Sequence, residues 1–200
     1  VYSLSELCEE RNISYIPAAD SEVSSIKFTG LANIESKKGT AIQVVTPSQA
    51  IKSAVKRYEE DDIIFSKMRP NLRKISHMTF EDGGFVSSEC AVLTVRRDSN
   101  GQYLINPALL ADILRSDFVY GQIMSKVTGI GRPRIGMRDL RNIKLPVPPI
   151  EVQNQAFDVL QSARTSSRII NEKAMELLNE SKNIEQSALV EATKILTGGE

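Results

Sequence analysis

Tryptophan is absent from these 200 residues, histidine occurs once and cysteine twice. With His77 as the sole imidazole, no Ser–His or Cys–His catalytic pair with a spare base stands out. Cys8 and Cys90 are far apart and form no Cys-x-x-Cys. They read as reduced thiols of a cytoplasmic protein, without a metal site. No apolar run approaches the roughly 18 residues of a membrane span. The acidic start "VYSLSELCEE" lacks the charged-then-apolar layout of a signal peptide. It also lacks an initiator Met, so a longer parent chain stays open. There is no Gly-x-x-x-x-Gly-Lys-Ser/Thr phosphate loop. "NPAL" at Asn106 carries only half of an adenine-methyltransferase loop. Glu35-Ser36-Lys37 and Glu180-Ser181-Lys182 resemble nuclease tripeptides, but no upstream Pro-Asp accompanies them.

What is present suits a folded chain. Hydrophobic residues make up 41% and charged residues 25%, enough for a core. The length allows one domain plus an extended element. Net charge is zero, with 25 basic and 25 acidic residues, which argues against a general nucleic-acid coat. The distribution is uneven. Residues 1–62 hold 7 basic and 10 acidic residues, 63–149 hold 13 and 7, and 150–200 hold 5 and 8. A basic middle between acidic ends suggests a localised anion-binding face. Scattered surface charge is the plainer alternative.

Strands are predicted at 25–36, 39–46, 62–70, 71–80 and 84–97, punctuated by "KKG", "EDGG" and "DSNG". Residues 3–11 read as a short helix or strand. The stretch 47–62 reads as a short helix or an irregular turn. From Asn106, apolar residues at 109, 110, 113, 114, 118 and 119 predict an amphipathic helix, or two broken near Ser116. Asn106 is placed to cap it and Pro107 fits its first turn.

Beyond Pro146, Pro148 and Pro149, no Pro or Gly occurs until Gly198. Leu160, Ile170, Ala174, Leu177, Ile184, Ala188 and Ile195 lie on a three-four spacing, with polar interruptions at Gln153, Ser167, Ser181 and Glu191. An unbroken helix there would be about 70 Å long, too long to bury its seam on a domain of this size. It would need a partner helix. A break around 162–168, folding the helix back, is the alternative.

Two basic clusters carry the candidate chemistry. "SKMRPNLRKI", 66–75, holds Lys67, Arg69, Arg73 and Lys74 without an acid. Lys126, Arg132, Arg134, Arg138, Arg141 and Lys144 face a single acid, Asp139. Gly129 and Gly131 allow close backbone approach to a polyanion. Arginine supplies bidentate contacts to phosphate or to guanine edges.

"GRPRIGMRDLRNIKLPVPPIEVQNQ", 131–155, closely resembles the end of a target-recognition domain in specificity subunits of type I restriction–modification systems. "FTGLANIESKKG", "DIIFSKMRPNLRKI" and "GFVSSECAVLTV" resemble earlier segments of that family, in the same order. The resemblance implies an α+β fold. It places a recognition domain over 1–148, with a mostly antiparallel sheet, and a long pairing helix over 149–200. It also implies a DNA-binding, non-catalytic chain. Its partners would be double-stranded DNA, a modification methyltransferase subunit that holds S-adenosylmethionine, and a restriction subunit. This chain would hold no cofactor of its own. A full specificity subunit resembles two such units, so a second recognition unit or a homodimer is expected through the helix. A recognition piece of a longer methyltransferase or nuclease, and a coiled-coil scaffold with a basic patch, are the competing readings. The expected DNA contacts are Lys67, Arg69, Arg73, Lys74, Lys126, Arg132, Arg134 and Arg138, the family motif covering Arg69, Arg132 and Arg134 most directly. Base-reading loops are expected near 46–61 or 76–83.

Overall fold

The structure is a computed structural model, and it describes residues 1–198. Its elements run β1 (Tyr2–Ser3), α1 (Leu4–Leu7), β2 (Cys8–Glu10), β3 (Ser14–Tyr15), β4 (Ser25–Thr29), β5 (Val44–Pro47), β6 (Val55–Tyr58) and β7 (Ile63–Ser66). They continue with β8 (Ile75–His77), β9 (Gly84–Ser87), β10 (Cys90–Val95), α2 (Pro107–Arg115), α3 (Asp117–Met124), α4 (Met137–Arg141), β11 (Lys144–Leu145) and α5 (Ile150–Leu196). The class is α+β, with mixed sheets followed by the long helix.

The strands form three sheets where a single one was predicted. A four-stranded antiparallel sheet has the order β2-β10-β7-β8. A five-stranded sheet has the order β3-β6-β9-β4-β5, in which β4 and β9 alone run parallel. β1 and β11 form a short ribbon. The reason is visible in the side chains. Along β7 and β10, Ile63, Phe65, Ala91, Leu93 and Val95 join one core cluster, whereas Ile64, Cys90 and Val92 join another. Alternate residues of a strand point to opposite faces, and here both faces are apolar. The four-stranded sheet is therefore a middle layer. One face packs on Leu110, Leu114, Val119 and Ile123 of α2 and α3. The other packs on Tyr58 and Val86 of the five-stranded sheet. Each fully buried Ile or Leu of such a layer contributes about 1.5–3 kcal/mol.

Asp62 and Tyr58 show how polar groups of the interior find partners. Asp62 is buried and accepts from Arg11 Nε at 2.7 Å, Thr94 Oγ1 at 2.6 Å and the Glu59 amide at 2.8 Å. The Tyr58 hydroxyl meets Thr29 Oγ1 at 3.0 Å and accepts from Gln43 Nε2 at 2.8 Å.

Local signals behave as their chemistry requires. Asn106 Oδ1 accepts from the Ala108 and Leu109 amides at 2.9 and 3.2 Å and caps α2. Ser116 separates α2 from α3. Residues 3–11 supply both a helical turn and a strand. Two expectations need correction. The stretch 47–62 is not a helix: after a 3-10 turn at Ser48–Ala50 it enters strand β6. β6 has Val55, Lys56 and Tyr58 buried, so tertiary burial overrides its polar appearance. The strand region 84–97 divides at a Ser88-Glu89 turn into β9 and β10, which belong to different sheets.

The chain separates into two compact units, the first being Val1–Gln153 and the second beginning at Asn154. The reason lies in Gln153, which is buried. Its Nε2 donates to the Leu104 and Pro148 carbonyls at 3.3 and 3.0 Å, and its Oε1 accepts from the Asn106 amide at 3.3 Å. Gln153, read from spacing as a polar interruption of the seam, instead belongs to the domain. Beyond it α5 is one unbroken helix of 47 residues in all. The fold-back alternative does not occur.

Candidate nucleic-acid interface

The two basic clusters, some sixty residues apart in sequence, meet edge to edge. The segment after β7 turns at Pro70–Leu72, a 3-10 turn bounded by Arg69 and Arg73, both in the left-handed region at φ 50° and 49°. Such angles are uncommon for residues with a side chain, and here neighbouring bonds hold them. The Arg69 amide donates to the Pro133 carbonyl at 2.7 Å, and the Ile135 amide to the Lys67 carbonyl at 3.0 Å. The Thr128 and Arg134 amides donate to each other's carbonyls at 2.9 Å. "TGIGRPR" is thus a small hairpin joined sideways to the strand–turn of the first cluster. Gly129 adopts φ 89°, and a Cβ there would sit 3.1 Å from the Arg132 carbonyl oxygen. Glycine is favoured at that position by its conformation, and the space beside it is tight.

The eight candidate cations divide by what their side chains touch. Arg69, Arg132 and Arg138 are exposed, and none has an acid or hydrogen-bond partner for its guanidinium among the described residues. Lys126, just past α3, is half-buried and likewise has no ammonium partner there. Arg134 differs. Its Nη2 and Nε donate to the two oxygens of Glu89 at 2.5 and 3.1 Å, and that pairing raises its pKa. Lys67 is half-buried. Burial, with Lys56 nearby, lowers its ammonium pKa against the opposing pull of Glu10 and Glu89. Lys74 Nζ donates to the Leu31 carbonyl at 2.5 Å.

Arg73 is turned inward. It donates to Asp117 Oδ1 at 2.6 Å and to the Arg115 carbonyl at 3.1 Å, and it lies 3.9 Å over the Tyr120 ring. These contacts fasten the turn to α3 and leave the guanidinium little freedom to meet a ligand. The structure therefore brings Lys67, Arg69, Arg132 and Arg134 together through backbone pairing. The Arg73 and Lys74 side chains are instead engaged in contacts within the domain.

Sequence reasoning did not single out Glu89. It sits in the turn between β9 and β10, its carbonyl accepts from the Lys67 amide at 3.0 Å, and its carboxylate grips Arg134. One residue thus ties both basic segments to the sheets. A Ser-Ser-Glu break in an apolar strand run was the available signal. Arg141, counted with the second cluster, pairs with Glu10 at 3.0 Å, and Glu10 also holds Lys56 at 2.9 Å.

In α5, Leu160 is partly buried, and Ile170, Ala174, Leu177, Ile184, Ala188 and Ile195 are exposed. Exposed Val159, Leu178, Leu189 and Leu196 stand next to seam positions and widen the apolar stripe.

A family model described as the type I restriction modification DNA specificity domain matches residues 1–179. The chain belongs to that family. Among solved structures, the HsdS subunit from Thermoanaerobacter tengcongensis is similar, with a TM-score of 0.69 and 24% identity, over 94% of this chain and 48% of that one. A chain from a structure of type I R-M complex assembly and conformational transition has a TM-score of 0.70 and 22% identity, over 95% of this chain and 48% of that one. Both similarities bear on the fold. The chain spans about half the length of the solved chains it matches. No curated protein matches it. Among the described residues, no helix is long and apolar enough to cross a membrane, and no group of three or more His, Cys, Asp or Glu residues is placed to hold a metal ion.

Proposed function

We propose that this chain is the specificity element of a type I restriction–modification system, reading one half of a bipartite DNA target in the cytoplasm. The observation that carries the reading is the paired basic edge. Two segments distant in sequence meet there, and their exposed arginines Arg69 and Arg132 are left without a partner among the described residues. Membership of the DNA specificity domain family supports the same reading. Surface cations left unneutralised suit a polyanion, and phosphate contacts fix register on a duplex without reading sequence. The bases would be read by less regular loops around this edge.

In this reading the chain performs no chemistry itself. It selects the DNA and docks a modification methyltransferase subunit, which supplies S-adenosylmethionine and the methyl transfer, and through it a restriction subunit. The second half-site would be read by another recognition unit or a second copy of this chain, paired through the exposed seam of α5. A seam this apolar is stabilised by covering it with another helix.

The test is selection from randomised duplex DNA by the chain assembled with its cognate modification subunit. The reading expects enrichment of one motif that contains a short fixed half-site. Recovery of unenriched DNA contradicts it.

A further inference from the structure

Ile130 occupies the tip of the hairpin formed by residues 128–134, between Gly129 and Gly131, and is the most exposed large apolar residue among those described. Scattered apolar surface residues are ordinary, but this one has an unusual setting. The hairpin beneath it is fixed by four backbone hydrogen bonds, two across Thr128 and Arg134 and two to Lys67 and Arg69. The Arg134–Glu89 ion pair braces its stem from the side. Arg132 follows Ile130 by two residues, and Arg69 is joined to Pro133, the next residue along. A loop built only to hold phosphate has no use for a bare isoleucine at its apex. These bonds hold the stem of the hairpin and so set where its apex stands.

We propose that Ile130 is an apolar wedge that enters a base step of the bound duplex while Arg132 and Arg69 hold the flanking phosphates. The proposal rests on the DNA-binding reading above and goes beyond it. Apolar side chains can enter a base step and partly unstack it, which bends the duplex around the protein. The surrounding cations provide the attraction that offsets the unstacking. Because the flexible pyrimidine–purine steps deform most readily, a wedge would favour such a step without reading a base edge. It would add selectivity at a position no polar side chain contacts.

The test uses the assembled complex on its selected duplex, with 2-aminopurine placed in turn beside each step of the target. Native protein should raise the fluorescence at one step. Ile130→Ala should abolish that rise and weaken binding about tenfold, whereas Ile130→Leu should retain it. Arg132→Ala should weaken binding yet leave the rise in place. Three results overturn the wedge: no fluorescent step with native protein, an unchanged rise with Ile130→Ala, or lost affinity without any unstacking. Intact DNA binding by Ile130→Ala with impaired assembly would make Ile130 a contact to the modification subunit and also overturns it. If selection enriches no motif, the DNA-binding reading fails together with the wedge; all other failures leave that reading standing.

Discussion

The backbone amide of Arg69 donates to the carbonyl of Pro133 across 2.7 Å. That bond, with the one from the Ile135 amide to the Lys67 carbonyl, joins two arginine-bearing segments that are remote in sequence and makes one cationic edge from two. Arg69 itself adopts a left-handed conformation, so the strain of that conformation accompanies the joint.

Arg132→Ala and Arg69→Ala should each weaken binding to all duplexes alike and reduce the slope of log K against log salt by about one. Fluorescence anisotropy at several salt concentrations measures this. An unchanged slope in both variants removes these residues from the contact set. Arg134→Ala should change the slope less, because Glu89 already neutralises that charge in the free protein.

Arg73→Ala should leave the salt slope intact but lower stability by about 1–2 kcal/mol, since it loses a charge-assisted hydrogen bond and a stacking contact with Tyr120. Asp117 is well exposed, so solvent screening keeps the ion-pair share small. Urea unfolding followed by circular dichroism is the measurement. A slope change without destabilisation would show that Arg73 faces DNA after all.

Burial pushes the thiols of Cys8 and Cys90 up to about 12. Neither should react with a disulfide reagent at pH 8 in the folded protein, and both should react after denaturation. The linkage has a definite sign. The unfolded thiols ionise near the usual value of 8.5–9 while the folded ones stay protonated. Their contribution to stability is therefore complete below about pH 8.5 and falls as pH rises through about 12. Rapid native reaction would contradict the packing of β2 and β10.

Leu177→Asp combined with Ile184→Asp should abolish self-association, or docking to a second helix, while the domain stays folded. Light scattering and thermal unfolding separate these effects. Both residues are exposed in α5, so a loss of domain stability would mean that they serve some role other than pairing.

Gln153 illustrates how far the sequence could be read. Its place in a three-four repeat is sound helical arithmetic, but its three hydrogen bonds to loop backbone come from tertiary packing that spacing does not encode. The helix of α5 and the cap at Asn106 were legible because their signals are local: no Pro or Gly in the one, an acceptor before Pro107 in the other. β6 was not, because "VKRY" gains its strand character from pairing with β3 and β9. The two basic clusters were legible by composition, and their union was not, because it depends on one hairpin aligning with a turn. Arg73 looks as free as Arg69 in the sequence; only the position of Tyr120 and Asp117 separates them.

The affinity ratio between the selected duplex and a scrambled duplex of equal length, measured at fixed salt with the assembled complex, tests the central claim most directly. Recognition by this chain predicts a preference of about a thousandfold or more, lost when the selected half-site is scrambled. Equal affinity for the two duplexes would contradict it and leave only a basic edge that holds any polyanion.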